Sequence, residues 1–268
     1  MGFETIRDQE VAVRMLTTAL RKGRLSHAYL FEGPDGVGKR LTALAFAKAV
    51  NCKEVGDNSC DTCRSCSRIA DGKHPDVTLT EPTRAGRIIH KEAMAAVIAS
   101  ASLKPYEAMY RVFIILDAER MNVVAANKFL KTLEEPPGNS LFVLVSHSPN
   151  QLLPTIASRC QRVKFRPLTP RTVEELLMRE RSLPAQRARV VSVLAQGQMS
   201  TAFELADSEK REFVVKLVTD LTEGCDPLLV AQAFRGRLKA ERDRLKELLK
   251  GDTPPAEADS EELAERRE

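Results

Sequence analysis

The sequence has no tryptophan, three tyrosines and ten phenylalanines among its 268 residues. So few aromatic faces argue against a stacking platform for single-stranded bases, which needs a ring for each base it holds. No apolar run approaches the ~20 residues that cross a bilayer. The first residues, MGFETIRDQE, lack the charged-then-apolar pattern of a secretory signal. The chain therefore reads as soluble and cytoplasmic, with no membrane partner. Charge of one sign is also scarce: 41 Lys plus Arg against 37 Asp plus Glu leave a net +4. That excess permits a nucleic-acid partner without requiring one. No internal repeat is visible. What is present is ordinary globular composition, 43% hydrophobic and 29% charged, at a length suited to one or two domains. Six cysteines stand out, and in a reducing cytosol clustered cysteines more often bind metal than pair as disulfides.

The periodicities predict an α/β fold. Ile6, Val11, Val13, Leu16 and Leu20 mark a helix over 5–22. AYLFE (28–32) reads as a buried strand, followed by a glycine loop and a helix over 40–50. Further strands are expected at 76–82, 111–119, 140–148 and 161–165, with helices at 90–103 and 122–133, the latter stopped by Pro136 and Pro137. Continuous apolar strands alternating with helices predict a five-stranded parallel sheet covered on both faces. After Pro167 the pattern is purely helical. Thr169 is placed as an N-cap with Pro170 at the first helical position, and helical patterns continue at 185–195, 199–207 and 209–222. The segment 235–250 carries seven basic and three acidic residues and reads as a solvated helix. Residues 251–268, with seven acids and two arginines, are expected to be disordered. The expected organisation is an α/β domain over 1–167, a helical segment over 168–207, a further helical region over 208–250 and the tail.

Four motifs carry chemistry. Gly33-Pro-Asp-Gly36-Val37-Gly38-Lys39-Arg40 has the phosphate-loop spacing, between a strand and a helix. Glycines there let backbone N–H groups wrap phosphates, lysine reaches the outer phosphates, and the helix N-terminus favours anions. The alternative is a glycine-rich turn that binds nothing. Arg40 stands where a Ser or Thr hydroxyl would hold Mg²⁺; an arginine cannot ligate a cation, so magnesium placement should suffer, while ATP or ADP binding through the backbone and Lys39 stays open. The second motif is the strand 112–115 running into Leu116, Asp117, Ala118 and Glu119. A hydrolytic site wants two adjacent acids at such a strand end; here only Asp117 fits and Glu119 is displaced. The alternative is a core strand with an exposed acid. Third, Cys52, Cys60, Cys63 and Cys66 lie within fifteen residues, a donor set that closes a tetrahedral structural zinc site; free thiols are the alternative. His74 is nearby but redundant, and Cys160 and Cys225 read as isolated and unreactive. Fourth, Ser158-Arg159-Cys160 precedes the fifth strand, and Arg159 is either a finger reaching a neighbour's γ-phosphate or half of a local salt bridge.

Together these segments resemble the delta-prime family of the bacterial DNA polymerase III clamp loader, an AAA+ family close to gamma/tau. The match is carried by RLSHAYLFEGPDGVGKR (24–40), the four-cysteine insert, AERMNVVAANKFLKTLEEPP (118–137) and LLPTIASRCQRVKF (152–165), over residues 3–205. The resemblance implies an AAA+ module with a zinc-binding insert, a small helical lid over 168–207, and a collar reduced here to 208–250. It implies that Arg159 reaches ATP held by a neighbouring gamma/tau subunit. It implies assembly with gamma/tau and delta subunits, on a sliding clamp and primed DNA. Gamma/tau would keep a Ser or Thr at position 40, adjacent acids at 116 and 117, and a sensor arginine where this chain has Ser200. These departures imply a stationary subunit without ATPase activity of its own, any polymerase activity belonging to the holoenzyme. A first-sensor position falls near Ser146 and His147. The alternatives are an active gamma/tau-type ATPase, and a zinc-dependent DNA-binding module whose Lys53, Arg64, Arg68 and Lys73 touch phosphate, though Glu54, Asp57, Asp61 and Asp71 offset them.

Overall fold

The computed structural model describes residues 2–83, 87–206, 220 and 224–250. Nearly all of the helix expected over 209–222, and the acidic tail 251–268, lie outside the described residues. Two compact units are distinguished, Met1–Thr83 with Ile88–Asp207, and Arg84–Arg87 with Ser208–Glu268.

In the first unit the strands are β1 (Ala28–Glu32), β2 (Val77–Thr80), β3 (Arg111–Ile115), β4 (Ser140–Ser146) and β5 (Gln161–Lys164). They form one parallel sheet in the order β2-β3-β4-β1-β5. The register puts Ala28 opposite Phe142 and Glu32 opposite Ser146, so the central strands end level with one another. Every residue of β1 and β4 is buried, which is why both read as unbroken apolar runs. The period of two divides their side chains between two cores. Tyr29, Phe31, Ile114, Val143 and Val163 join Leu16 and Phe46 on one face. Leu30, Phe113, Ile115 and Phe142 join Met94 and Phe129 on the other.

The helices on these faces are α1 (Glu10–Arg21), α2 (Lys39–Asn51), α3 (Arg64–Ala70), α4 (Lys91–Ala101), α5 (Val123–Glu134) and α6 (Pro154–Ala157). Two predicted elements begin or end differently. The first helix starts at Glu10 rather than residue 5, because Asp8 has φ 57° and turns the chain; Phe3–Thr5 form a separate 3-10 turn. The third strand stops at Ile115 rather than 119, since Asp117 enters the left-handed region at φ 47°. Helices α3 and α6 were not predicted. Asn122 caps α5 by accepting from the Ala125 N–H at 2.8 Å.

Beyond the sheet, α7 (Pro170–Arg181), α8 (Ala185–Leu194) and α9 (Met199–Ala206) enclose their own core of Leu168, Val173, Leu177, Ala188, Val191 and Ala202. Thr169 Oγ1 accepts from the Thr172 N–H at 3.3 Å with Pro170 at the first helical position, as the sequence predicts. In the second unit α10 (Pro227–Lys250) contains the predicted 235–250 helix and starts earlier, where Asp226 Oδ1 accepts from the Leu228 N–H at 2.8 Å.

Candidate functional site

The glycine loop leaves β1 and feeds α2. Gly38 is the N-cap of α2 with φ 95°, a conformation that only glycine adopts without strain. Val37 is buried in the core beneath the loop. Gln9 ties the loop to the sheet: its side-chain amide donates to the Arg166 carbonyl at 2.8 Å and to the Val37 carbonyl at 3.4 Å, and its Oε1 accepts from the Arg166 N–H.

The loop's two cations are engaged within the chain. Lys39 Nζ donates to the carbonyl oxygens of Gly33 at 2.8 Å and Pro34 at 2.5 Å. Burial pushes this ammonium below its ordinary value, offset in part by the carboxylates of Asp35, Glu119 and Asp117. Arg40 Nη1 lies 2.8 Å from Glu81 Oε1. The Gly36 N–H is also taken, by Asp35 Oδ1 at 2.9 Å. Above the loop sits the start of α9: a Cβ at Gly36 would lie 2.4 Å from the Ser200 nitrogen and 2.6 Å from its hydroxyl. With no hydroxyl at position 40 and an arginine in its place, these residues do not fit a magnesium–nucleotide pair.

The acids at the end of β3 are arranged differently from the sequence expectation. Glu119 is displaced along the chain but not in space. The left-handed turn at Asp117 and a 3-10 turn over Ala118–Arg120 bring both carboxylates to His147. His147 Nδ1 lies 2.6 Å from Glu119 Oε1 and 3.6 Å from Asp117 Oδ1. Of Ser146 and His147, near which the first-sensor position is expected, His147 is the side chain at this end of β4 that meets the acids.

The four cysteines converge as their spacing predicts. Their sulfurs all lie within 4.8 Å of one another, a set that can hold a metal ion. Cys60 Sγ accepts from the Cys63 N–H at 3.2 Å and Cys63 Sγ from the Cys66 N–H at 3.4 Å; Cys63 thereby caps α3. The N–H groups of Cys63 and Thr62 lower the Cys60 thiol to about 6, whereas burial raises that of Cys66. His74 is engaged elsewhere, its Nδ1 accepting from the Asp76 N–H at 3.1 Å and its Nε2 lying 3.2 Å from Ser65 Oγ. Burial also pushes the Cys160 thiol up to about 12, consistent with an unreactive group; Cys225, by contrast, is exposed.

Arg159 follows α6 and is partly exposed. Its Nη2 lies 2.7 Å from Glu134 Oε1 and its Nη1 donates to the Thr155 carbonyl at 3.0 Å. None of these partners belongs to the glycine loop. One residue that sequence reasoning missed organises the opposite end of the sheet. Asp76, fully buried, accepts backbone N–H bonds from Tyr106, Glu107 and Ala108 at 2.7–3.0 Å and faces Arg111 at 3.6 Å.

The family model described as DNA polymerase III, delta subunit, matches residues 8–169. The chain is 38% identical over 213 residues to DNA polymerase III subunit delta' of Bacillus subtilis (strain 168), covering 78% of this chain and 64% of that one. It is 32% identical over 251 residues to subunit tau of the same organism, covering 88% and 42%. The chain thus spans less than two thirds of the length of either curated relative. Among solved structures, the Thermotoga maritima RuvB Holliday junction branch migration motor superposes with a TM-score of 0.50 at 17% identity, over 87% of this chain and 70% of that one. At that identity the likeness is one of fold, a parallel sheet flanked by helices.

Proposed function

The chain belongs to the DNA polymerase III delta-subunit family, and from that premise we propose that it is a non-motor subunit of the clamp loader. In this reading it assembles with gamma/tau and delta subunits and presents Arg159 to ATP held by a neighbouring gamma/tau subunit. The sliding clamp and primed DNA are met through that complex. The observation that carries the reading is the state of the glycine loop. Lys39 is bonded to the loop's own carbonyls and Arg40 to Glu81, so the lysine that would reach a bound triphosphate and the arginine beside it are both engaged within the chain. Ser200, where an active subunit would place a sensor arginine, packs on Gly36 instead. Arg159 supports the other half of the reading. It is a charged group just beyond a short helix, preorganised by Glu134 and the Thr155 carbonyl and bonded to nothing in the glycine loop. A guanidinium in that setting can exchange one carboxylate partner for a neighbour's phosphate oxygens.

Cys52, Cys60, Cys63 and Cys66 would hold a structural zinc ion. The donor set fits: four thiols converge, two already receive backbone N–H bonds, and no fifth group is needed. Bound zinc supplies a cross-link for a polar segment that has little core of its own.

The test is turnover by the isolated full chain with Mg²⁺ and ATP. The expected result is no hydrolysis above background, unchanged in Arg40→Thr, because Lys39, the Ser200 contact and the missing first acid at Leu116 remain. Robust turnover by the unaltered chain would make it a gamma/tau-type motor.

A further inference from the structure

We propose that Asp117, Glu119 and His147 form a site for a divalent first-row transition cation that binds without nucleotide. The three residues each offer one ligand atom, all within 4.8 Å of one another. His147 Nδ1 stands 2.6 Å from Glu119 Oε1 and 3.6 Å from Asp117 Oδ1. Ligands on metal bonds of about 2.1 Å are separated by about 3.0 Å in an octahedron and about 3.4 Å in a tetrahedron. The observed separations bracket these values.

The second observation is Glu119. Its side chain is 0% exposed, and neither carboxylate oxygen has a hydrogen-bond partner. A buried carboxylate left in that condition is costly. His147 Nδ1 stands close, but a neutral imidazole forms no ion pair with Glu119, and the contact is not a hydrogen bond. A cation between the two atoms would satisfy both at once. Lys39, whose charge these acids feel, does not do so: its bonds go to the Gly33 and Pro34 carbonyls. Asp117 and His147 are 38% and 32% exposed, which leaves a path for the ion and open positions for water.

The donor set decides the class of ion. One imidazole with two carboxylates suits manganese, iron, cobalt or zinc better than magnesium or calcium, which prefer oxygen alone. It also differs from the all-sulfur set at Cys52–Cys66, so a hard ion such as Mn²⁺ discriminates between the two places.

The experiment is a Mn²⁺ titration of the full chain carrying a single equivalent of zinc on the four cysteines, followed by electron paramagnetic resonance, with neither nucleotide nor partner subunits present. Its outcome is therefore independent of the clamp-loader reading. The expected result is one saturable Mn²⁺ per chain with imidazole nitrogen coupling in the pulsed spectrum. Glu119→Gln and Asp117→Asn should weaken binding at least tenfold, His147→Ala should abolish the nitrogen coupling, and Cys66→Ser should leave Mn²⁺ binding intact. Asp117 is partly exposed, so its variant keeps the test decisive if Glu119→Gln misfolds. No saturable binding, binding without nitrogen coupling, or equal binding in Asp117→Asn and His147→Ala would overturn the proposal.

Discussion

Asp76 shows how much one buried side chain can organise. Burial alone would raise its pKa, but the N–H groups of Tyr106, Glu107 and Ala108, with Arg111 beside them, hold it below the ordinary 3.8. Between the native value and 3.8 the unfolded chain binds more protons than the folded one, so this contribution is complete above 3.8 and is lost as pH falls. Asp76→Ala leaves three donors and a guanidinium without their acceptor, a loss of about 3 kcal/mol or more. Urea denaturation at neutral pH should show that loss, and the variant's drop in stability below 3.8 should be smaller than the wild type's, Glu4 and Asp61 still contributing to it. A neutral effect would mean that water replaces the carboxylate. Gly36 is the second such residue. A methyl group there meets Ser200 backbone at 2.4 Å and must adopt φ 71°, so Gly36→Ala should cost about 1–3 kcal/mol. Hydrogen exchange should speed up in 199–206; unchanged protection there would show that α9 does not rest on the loop.

At the scale of elements, what the sequence discloses depends on whether the cause is local. β1 and β4 are legible because a strand buried on both faces needs an unbroken apolar run, and α7 because Thr169 and Pro170 carry its start themselves. α3 is hidden in a polar segment, since its cap is a cysteine sulfur rather than a Ser or Asp side chain. The partners of Asp76 lie thirty or more residues away, and those of Gln9 reach 157 residues along the chain; no local pattern announces either. Glu119 looked misplaced because linear spacing assumes that β3 runs on, whereas the chain turns at Asp117. The convergence of the four cysteines, by contrast, is written in their spacing. In a His147→Ala background, which removes the other candidate ligand set, zinc release by a chelator should give one ion per chain, and Cys66→Ser should lose it together with amide protection over 60–70. Retention of zinc in that variant would contradict the four-sulfur assignment.

At the scale of the whole molecule, the proposed role makes this chain a supplier of one group to a reaction that happens elsewhere. Its glycine loop lies between β1 and α2, as the motif's spacing predicts, yet Lys39 and Arg40 are both bonded within the chain. Its exposed guanidinium is held by a single carboxylate and a carbonyl. The measurement that bears on this most directly is steady-state ATP turnover of a loader reconstituted from gamma/tau, delta and this chain, with clamp and primed DNA. Arg159→Ala is compared with the unaltered chain, and assembly is verified by gel filtration. The account predicts a fall of roughly tenfold or more with the complex intact. Equal turnover in an intact complex would contradict it, reducing Arg159 to the salt bridge it makes with Glu134.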